Sequence, residues 1–166
     1  MSYKKILVAL DNSALGKVVF EQALSMAKQN KSALMLFHCL SIESQNVTPY
    51  ASFYEGEFSD FSYLMREQLE QQTEVVKQWL SDYAKIATEQ GVSIESDWKI
   101  GEPGRWIREV AKSWDADLIV IGRRGIKGIT EMFLGSVSNY IVHHSPCSVL
   151  VIQGENLGKK DTSQNA

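Results

Sequence analysis

Three glycines, Gly122, Gly125 and Gly135, are separated by two and then nine residues, and Ser136 follows the last of them. Arg123 and Arg124 fill the first gap, and Lys127 lies in the second. Glycine lets a backbone come close to a ligand. A helix opening at Ser136 would offer unpaired N–H groups and the positive end of its dipole. Arginine forks suit phosphate oxygens. Together these residue types describe a phosphate-binding loop. The loop lacks the lysine and serine/threonine pair of a Walker A motif, and the single-turn G-x-G-x-x-G of dinucleotide folds is also missing. Ser136 sits in no G-x-S-x-G elbow, and no histidine is spaced to activate it, so nucleophilic catalysis is not expected.

Asp11 follows an apolar run and reads either as a turn or capping residue or as a ligand to a nucleotide or Mg2+. His38, His143 and His144 have no metal-ligand spacing. His38 reads as a buried strand histidine, and His143-His144 as the cationic end of a helix. Cys39 and Cys147 both sit in apolar strand-like runs and read as buried free thiols.

These residues need a scaffold. The chain has 166 residues, which suits one domain. Its 44% hydrophobic and 22% charged residues are ordinary for a soluble globular protein. A net charge of -3 argues against nucleic-acid binding and makes the basic cluster at Arg123 local, suited to a small anion. The N-terminal apolar run is too short for a signal sequence, and no run approaches the roughly 20 residues of a membrane span. The expected location is the cytoplasm.

Short continuous apolar runs at Ile6–Leu10, Ala33–Cys39, Leu118–Ile121 and Ser148–Ile152 read as buried strands, and Val92–Ile100 alternates like another. Between them, Leu15 to Ala27, Leu64 to Ala87 and Trp106 to Trp114 repeat at helical spacing. Asn12 or Ser13 can cap the first helix, Gly91 ends the second, and Pro103 suits the start of the third. A fourth helix runs from about Ser136 to His144. Such alternation implies an open parallel sheet with helices on both faces. Ligands in such sheets bind at the carboxyl ends of the strands, where strand order reverses. If the first and fourth strands are neighbours there, Asp11 faces Gly122 across the crevice.

The glycine spacing resembles the signature of the universal stress protein family, in particular its ATP-binding branch. The resemblance covers about residues 3–152. It includes the first strand with its acidic residue, Lys4 to Asp11, the end of the second, Phe37-His38-Cys39, and the runs Asp117–Gly122 and Pro146–Ile152. It implies a Rossmann-like α/β sheet of order 3-2-1-4-5. A nucleotide-binding domain over residues 1–153 would precede a polar tail, 154–166. Ala9, Leu10 and Asp11 would line adenine and ribose, with Asp11 near the sugar or a metal, and Cys39 would offer backbone groups to the adenine edge. Ile121 and Gly122 would follow the ribose-phosphate path. Gly125, Gly135, Ser136 and Val137 would give N–H groups to phosphates. Arg123 and Arg124 are candidates for phosphate contact or for solvated surface charge.

The resulting expectation is an ATP- and Mg2+-binding regulatory protein with slow hydrolysis at most. The alternatives are an ATP-cleaving or adenylate-transferring enzyme of a related α/β superfamily, an AMP or cyclic-dinucleotide binder, and a nucleotide-free dimerisation module. The family sheet order places the last strand at an edge, which implies a homodimer through it. A further protein partner is left open. The aromatic segment Tyr50–Tyr63 reads as packed on its own domain, as a nucleotide lid or as a partner-binding patch.

Overall fold

The computed structural model describes residues 2–41, 57–123 and 135–154. Five strands alternate with four helices: β1 (Lys5–Ala9), α1 (Ala14–Asn30), β2 (Ala33–Leu40), α2 (Glu57–Glu89), β3 (Ile94–Ile100), α3 (Pro103–Ser113), β4 (Leu118–Arg123), α4 (Ser136–His144) and β5 (Ser148–Gln153). The strands form one parallel sheet of order β3-β2-β1-β4-β5. This is the expected order, with β1 and β4 adjacent where the chain reverses its direction of winding.

The strands are apolar on both faces because helices cover both. Successive side chains alternate between layers. Ile6, Val8, Leu34, Leu36, Leu118 and Val120 point into the layer of α1 and α2. Leu7, Phe37, Ile119 and Ile121 point into the layer of α3 and α4. Five residues of β1 and β4, Ile6, Leu7, Val8, Ile119 and Val120, divided between the two layers, are wholly inaccessible. Burying each aliphatic side chain contributes roughly 1.5–3 kcal/mol, so these two central strands anchor the sheet and hold its carboxyl edge in place.

Local signals set most helix ends. The Ser13 hydroxyl accepts the Gly16 N–H at 3.1 Å and caps α1, a bond worth about 1 kcal/mol. Pro103 opens α3. Gly91, at φ +79°, turns the chain out of α2, and β3 then begins at Ile94 rather than Val92.

Helix α2 departs from the sequence reading in two ways. It starts at Glu57, upstream of the apolar period that begins at Phe61. Its 33 residues span about 50 Å at 1.5 Å each, while the seven residues of β3 span about 23 Å. The helix therefore outruns the sheet. Thr73, Val76, Trp79, Leu80 and Ala87 are buried, whereas Leu64, expected on the packed face, is 61% exposed.

Candidate functional site

The carboxyl ends of β1, β2 and β4 lie side by side. Ala9 stands level with Phe37 on one side and Ile121 on the other. Beyond Ala9 the chain is held close to β2: the Leu10 N–H donates to the Phe37 carbonyl at 2.9 Å. The His38 Nδ1 lies 2.6 Å from the Leu10 carbonyl. A carbonyl can only accept, so Nδ1 carries the proton. His38 is half-buried rather than buried, and its ring meets Trp79 edge-on with centroids 5.0 Å apart.

Asp11 is half-buried. It is not the helix cap; Ser13 is, and the Ser13 hydroxyl also donates to the Asp11 carboxylate. The tightness of this turn depends on a residue that motif reading passed over. A Cβ on Gly16 would stand 2.1 Å from the Asp11 carbonyl oxygen and 2.9 Å from its carboxylate. Any side chain there would displace Asp11. The signal was present, as a glycine three residues after the capping serine, but glycine inside a first helical turn has no local motif to announce it.

Cys39 is half-buried, and its thiol donates to the Gly101 carbonyl at 3.6 Å. Burial pushes the thiol up to about 11, against a smaller lowering by the Gly101 contact. It stays protonated at neutral pH and is no nucleophile. Cys147 is likewise half-buried and free, with its thiol raised by desolvation. Both cysteines are thus less buried than the sequence reading expected.

Gly122 closes β4 against α1: a Cβ there would stand 2.9 Å from Leu15 and 3.0 Å from Val19. Its carbonyl accepts the Ser138 hydroxyl at 3.1 Å. Ser138 is 3% exposed, and its bond ties the first turn of α4 to the end of β4. No motif marks this serine either. Arg123 extends along the β4–β5 rung and donates to Gln153 at 3.0 Å.

Gly135 precedes α4 and makes no side-chain cap to it. Among the described residues, a Cβ on Gly135 would meet nothing within 4 Å. Ser136 is exposed and Val137 half-buried, packed against the α3/α4 core. So Ala9, Leu10, Asp11, Cys39, Ile121, Gly122, Gly135, Ser136 and Val137 gather on the carboxyl edge of the sheet. Arg124, Gly125 and Lys127 lie outside the described residues, as do residues 42–56, which hold Tyr50, Phe53 and Tyr54 of the aromatic segment, and the tail from 155. Among the described residues, no three His, Cys, Asp or Glu side chains cluster closely enough to hold a metal ion. No described helix is long and apolar enough to cross a membrane. A groove lined by Glu21, Leu24, Ser25, Lys28 and Gln29 of α1 and by Gln90, just after α2, includes none of these residues.

The universal stress protein family model matches residues 2–153. The chain belongs to this family. It is 50% identical to universal stress protein Sll1388 of Synechocystis sp. over 92% of this chain and 99% of that one. It also resembles the solved structure of universal stress protein UspA from Lactobacillus plantarum, with a TM-score of 0.74, 24% identity and coverage of 92% and 99%. Two more distant structures are complexes. One is a universal stress protein with cAMP (TM-score 0.58, 23% identity, coverage 92% and 98%). The other is the universal stress protein from Archaeoglobus fulgidus with dAMP (TM-score 0.57, 21% identity, coverage 92% and 99%).

Proposed function

We propose that this universal stress protein binds ATP with Mg2+ at the carboxyl edge of its sheet and acts as a nucleotide-dependent regulator, hydrolysing ATP slowly at most. One observation carries the reading. Ser138 fastens the uncapped start of α4 to the end of β4, next to the β1/β4 reversal. The first N–H groups of a helix have no partner within the helix, and beside a glycine they form an anion site. Asp11 stands across the crevice. One carboxylate is enough for Mg2+, which commonly takes one or two carboxylates together with substrate phosphates. Bound there, Mg2+ would neutralise phosphate charge.

In this reading Ala9, Leu10 and the Cys39 backbone bound the adenine and ribose, and Ile121 and Gly122 lie along the ribose-phosphate path. Gly135, Ser136 and Val137 donate to phosphates, with Gly125 and one of Arg123 and Arg124 completing the loop. The protonated Cys39 favours a binding module over an enzyme that uses this thiol. The protein acts in the cytoplasm as a homodimer joined through β5, whose shape or partners respond to the nucleotide.

Gly135→Val tests the reading at a position where an added Cβ meets no described residue within 4 Å. Calorimetry should show MgATP affinity falling at least about tenfold, roughly 1.4 kcal/mol, with an unchanged circular dichroism spectrum. Unaltered affinity in the folded variant removes the phosphate site. A second reading, that the resident ligand is an adenosine monophosphate, is favoured by the cAMP and dAMP complexes of the two structural neighbours. Competition of AMP and cAMP against ATP in the same calorimeter decides between them.

A further inference from the structure

Helix α2 has one face on the core and a second, separate face of unusual composition. Leu64, Val75 and Ile86 are 61%, 60% and 42% exposed. They are spaced eleven residues apart. At 100° per residue that spacing is about 20° past three full turns, so the three side chains form one line along the helix. Gln68, Gln71 and Asp82 fall within about 40° of the same line. Between Leu64 and Ile86 this face bears no lysine or arginine, while Arg66, Glu67, Glu70, Glu74, Lys77 and Lys85 crowd the rest of the exposed surface. The charged flank turns toward β3, where the Lys77 Nζ lies 5.8 Å from the Trp98 ring centroid. The aliphatic line, whose one charged neighbour within that arc is Asp82, is on the other flank.

The line is also self-complementary. Val75 is its midpoint, so a two-fold axis through Val75 sets Leu64 of one copy level with Ile86 of another, and Val75 level with Val75. The same axis sets Gln68 level with Asp82. An amide can donate to that carboxylate, which already accepts from Gln78 at 3.0 Å and has further acceptor positions. Beside the line, Glu67 and Lys85 share one meridian, being 18 residues and five turns apart. The same axis brings Glu67 of one copy within about two residues, roughly 3 Å, of the level of Lys85 of the other. Isolated exposed aliphatics are ordinary. Three in register, with matched polar and charged neighbours under one two-fold operation, meet the requirement of an isologous contact.

We propose that α2 carries a self-association face, on which Leu64, Val75 and Ile86 of one copy pair antiparallel with Ile86, Val75 and Leu64 of a second copy. A strip about 33 Å long and roughly 10 Å across falls short of the ~800 Å² per partner of a standard stable interface. The contact is therefore weak alone and becomes effective when the copies are already joined elsewhere. It uses no residue of the nucleotide site and none of β5.

Symmetric cross-linking tests it. Val75→Cys should form an intermolecular disulfide under mild oxidation, far beyond that of wild type, whose Cys39 and Cys147 give the background, and of Glu74→Cys on the charged flank. Leu64→Cys mixed with Ile86→Cys should cross-link, and Leu64→Cys alone should not. In sedimentation, Val75→Arg should remove the largest species seen with wild type at high concentration while circular dichroism stays unchanged. Val75→Cys cross-linking no better than Glu74→Cys overturns the face, as does an assembly unaffected by Val75→Arg. If Val151→Lys alone reduces the mass, the β5 contact stands and the α2 face falls.

Discussion

The two edges of the sheet are built on opposite rules. At one edge, β3 reads Ile-Glu-Ser-Asp-Trp-Lys-Ile; at the other, β5 reads Ser-Val-Leu-Val-Ile-Gln. Along β3, Lys99 pairs with Asp97 at 3.7 Å, and the Asp97 carboxylate accepts the Trp98 backbone N–H at 2.8 Å. Lys77 and Lys99 lie over the rings of Trp98 and Trp106, and the Trp106 indole donates to the Ile100 carbonyl at 3.2 Å. Charges and side-chain bonds thus occupy the edge where another strand would add. β5 has no charged residue, and its four central residues are only half-buried. Proteins protect exposed strand edges with charge because unpaired N–H and C=O groups recruit other strands. A guard on one edge and none on the other favours β5 as the site of the proposed self-pairing.

The strongest way to break this contrast is to give β5 the guard of β3. Val151→Lys should weaken the dimer at least about tenfold, roughly 1.4 kcal/mol, measured by sedimentation. Val151 also packs against the α3/α4 core, so chemical denaturation should show a further loss of about 1–2 kcal/mol from partial burial of one aliphatic side chain. Light scattering that finds wild-type monomer at tens of micromolar, with or without ATP, removes the β5 contact.

The reverse exchange should have a smaller effect. Asp97→Val with Lys99→Val strips the charge from β3. Folding stability should change by no more than about 1 kcal/mol, since the exposed pair contributes little. Self-association should rise, seen as light scattering that grows with time. Scattering equal to wild type means that these charges do not guard the edge.

Arg123 sharpens the contrast where β5 ends beside the proposed nucleotide. If it contacts phosphate, Arg123→Ala should lower ATP affinity severalfold while leaving adenosine binding alone, and Gln153→Ala should change neither. If it serves only to hold Gln153, both variants should instead cost about 1 kcal/mol of stability, the worth of one hydrogen bond, with equal affinities throughout.

The mildest effect concerns the thiol beside β3. Because the Cys39 thiol is held near 11 when folded, against 9.0 for an ordinary thiol, the folded state retains its proton longer. The resulting stability is present below pH 9 and is lost as pH rises from 9 toward 11. Alkylation of Cys39 by iodoacetamide should be slow at pH 8 and accelerate toward pH 11. Fast modification at pH 8 in the folded protein contradicts this assignment.

Much of this was legible in the chain. Continuous apolar runs announced strands covered on both faces, and the helix spacing gave α1, α3 and α4 nearly to the residue, because burial and capping are written locally. The start of α2 was not legible, since its first turn precedes the apolar period. The packed extent of α2 was missed for another reason: periodicity reports which face is apolar, not how far the sheet beneath it extends. That is why Leu64 keeps the right spacing and has no core to meet.

The candidate site divides in the same way. Its glycine spacing, Ser136 and Asp11 are local patterns, and the sequence alone put them after strand ends and therefore on one edge of a parallel sheet. The contacts that shape that edge join residues distant in the chain. Gly16 is required by the carbonyl of Asp11, Gly122 by the side chains of Leu15 and Val19, and Ser138 by the carbonyl of Gly122. A residue's helix or strand preference depends on its neighbours in sequence. Its need to be small, or to donate one hydrogen bond, depends on what the fold brings to within a few ångströms, and only the tertiary structure decides that.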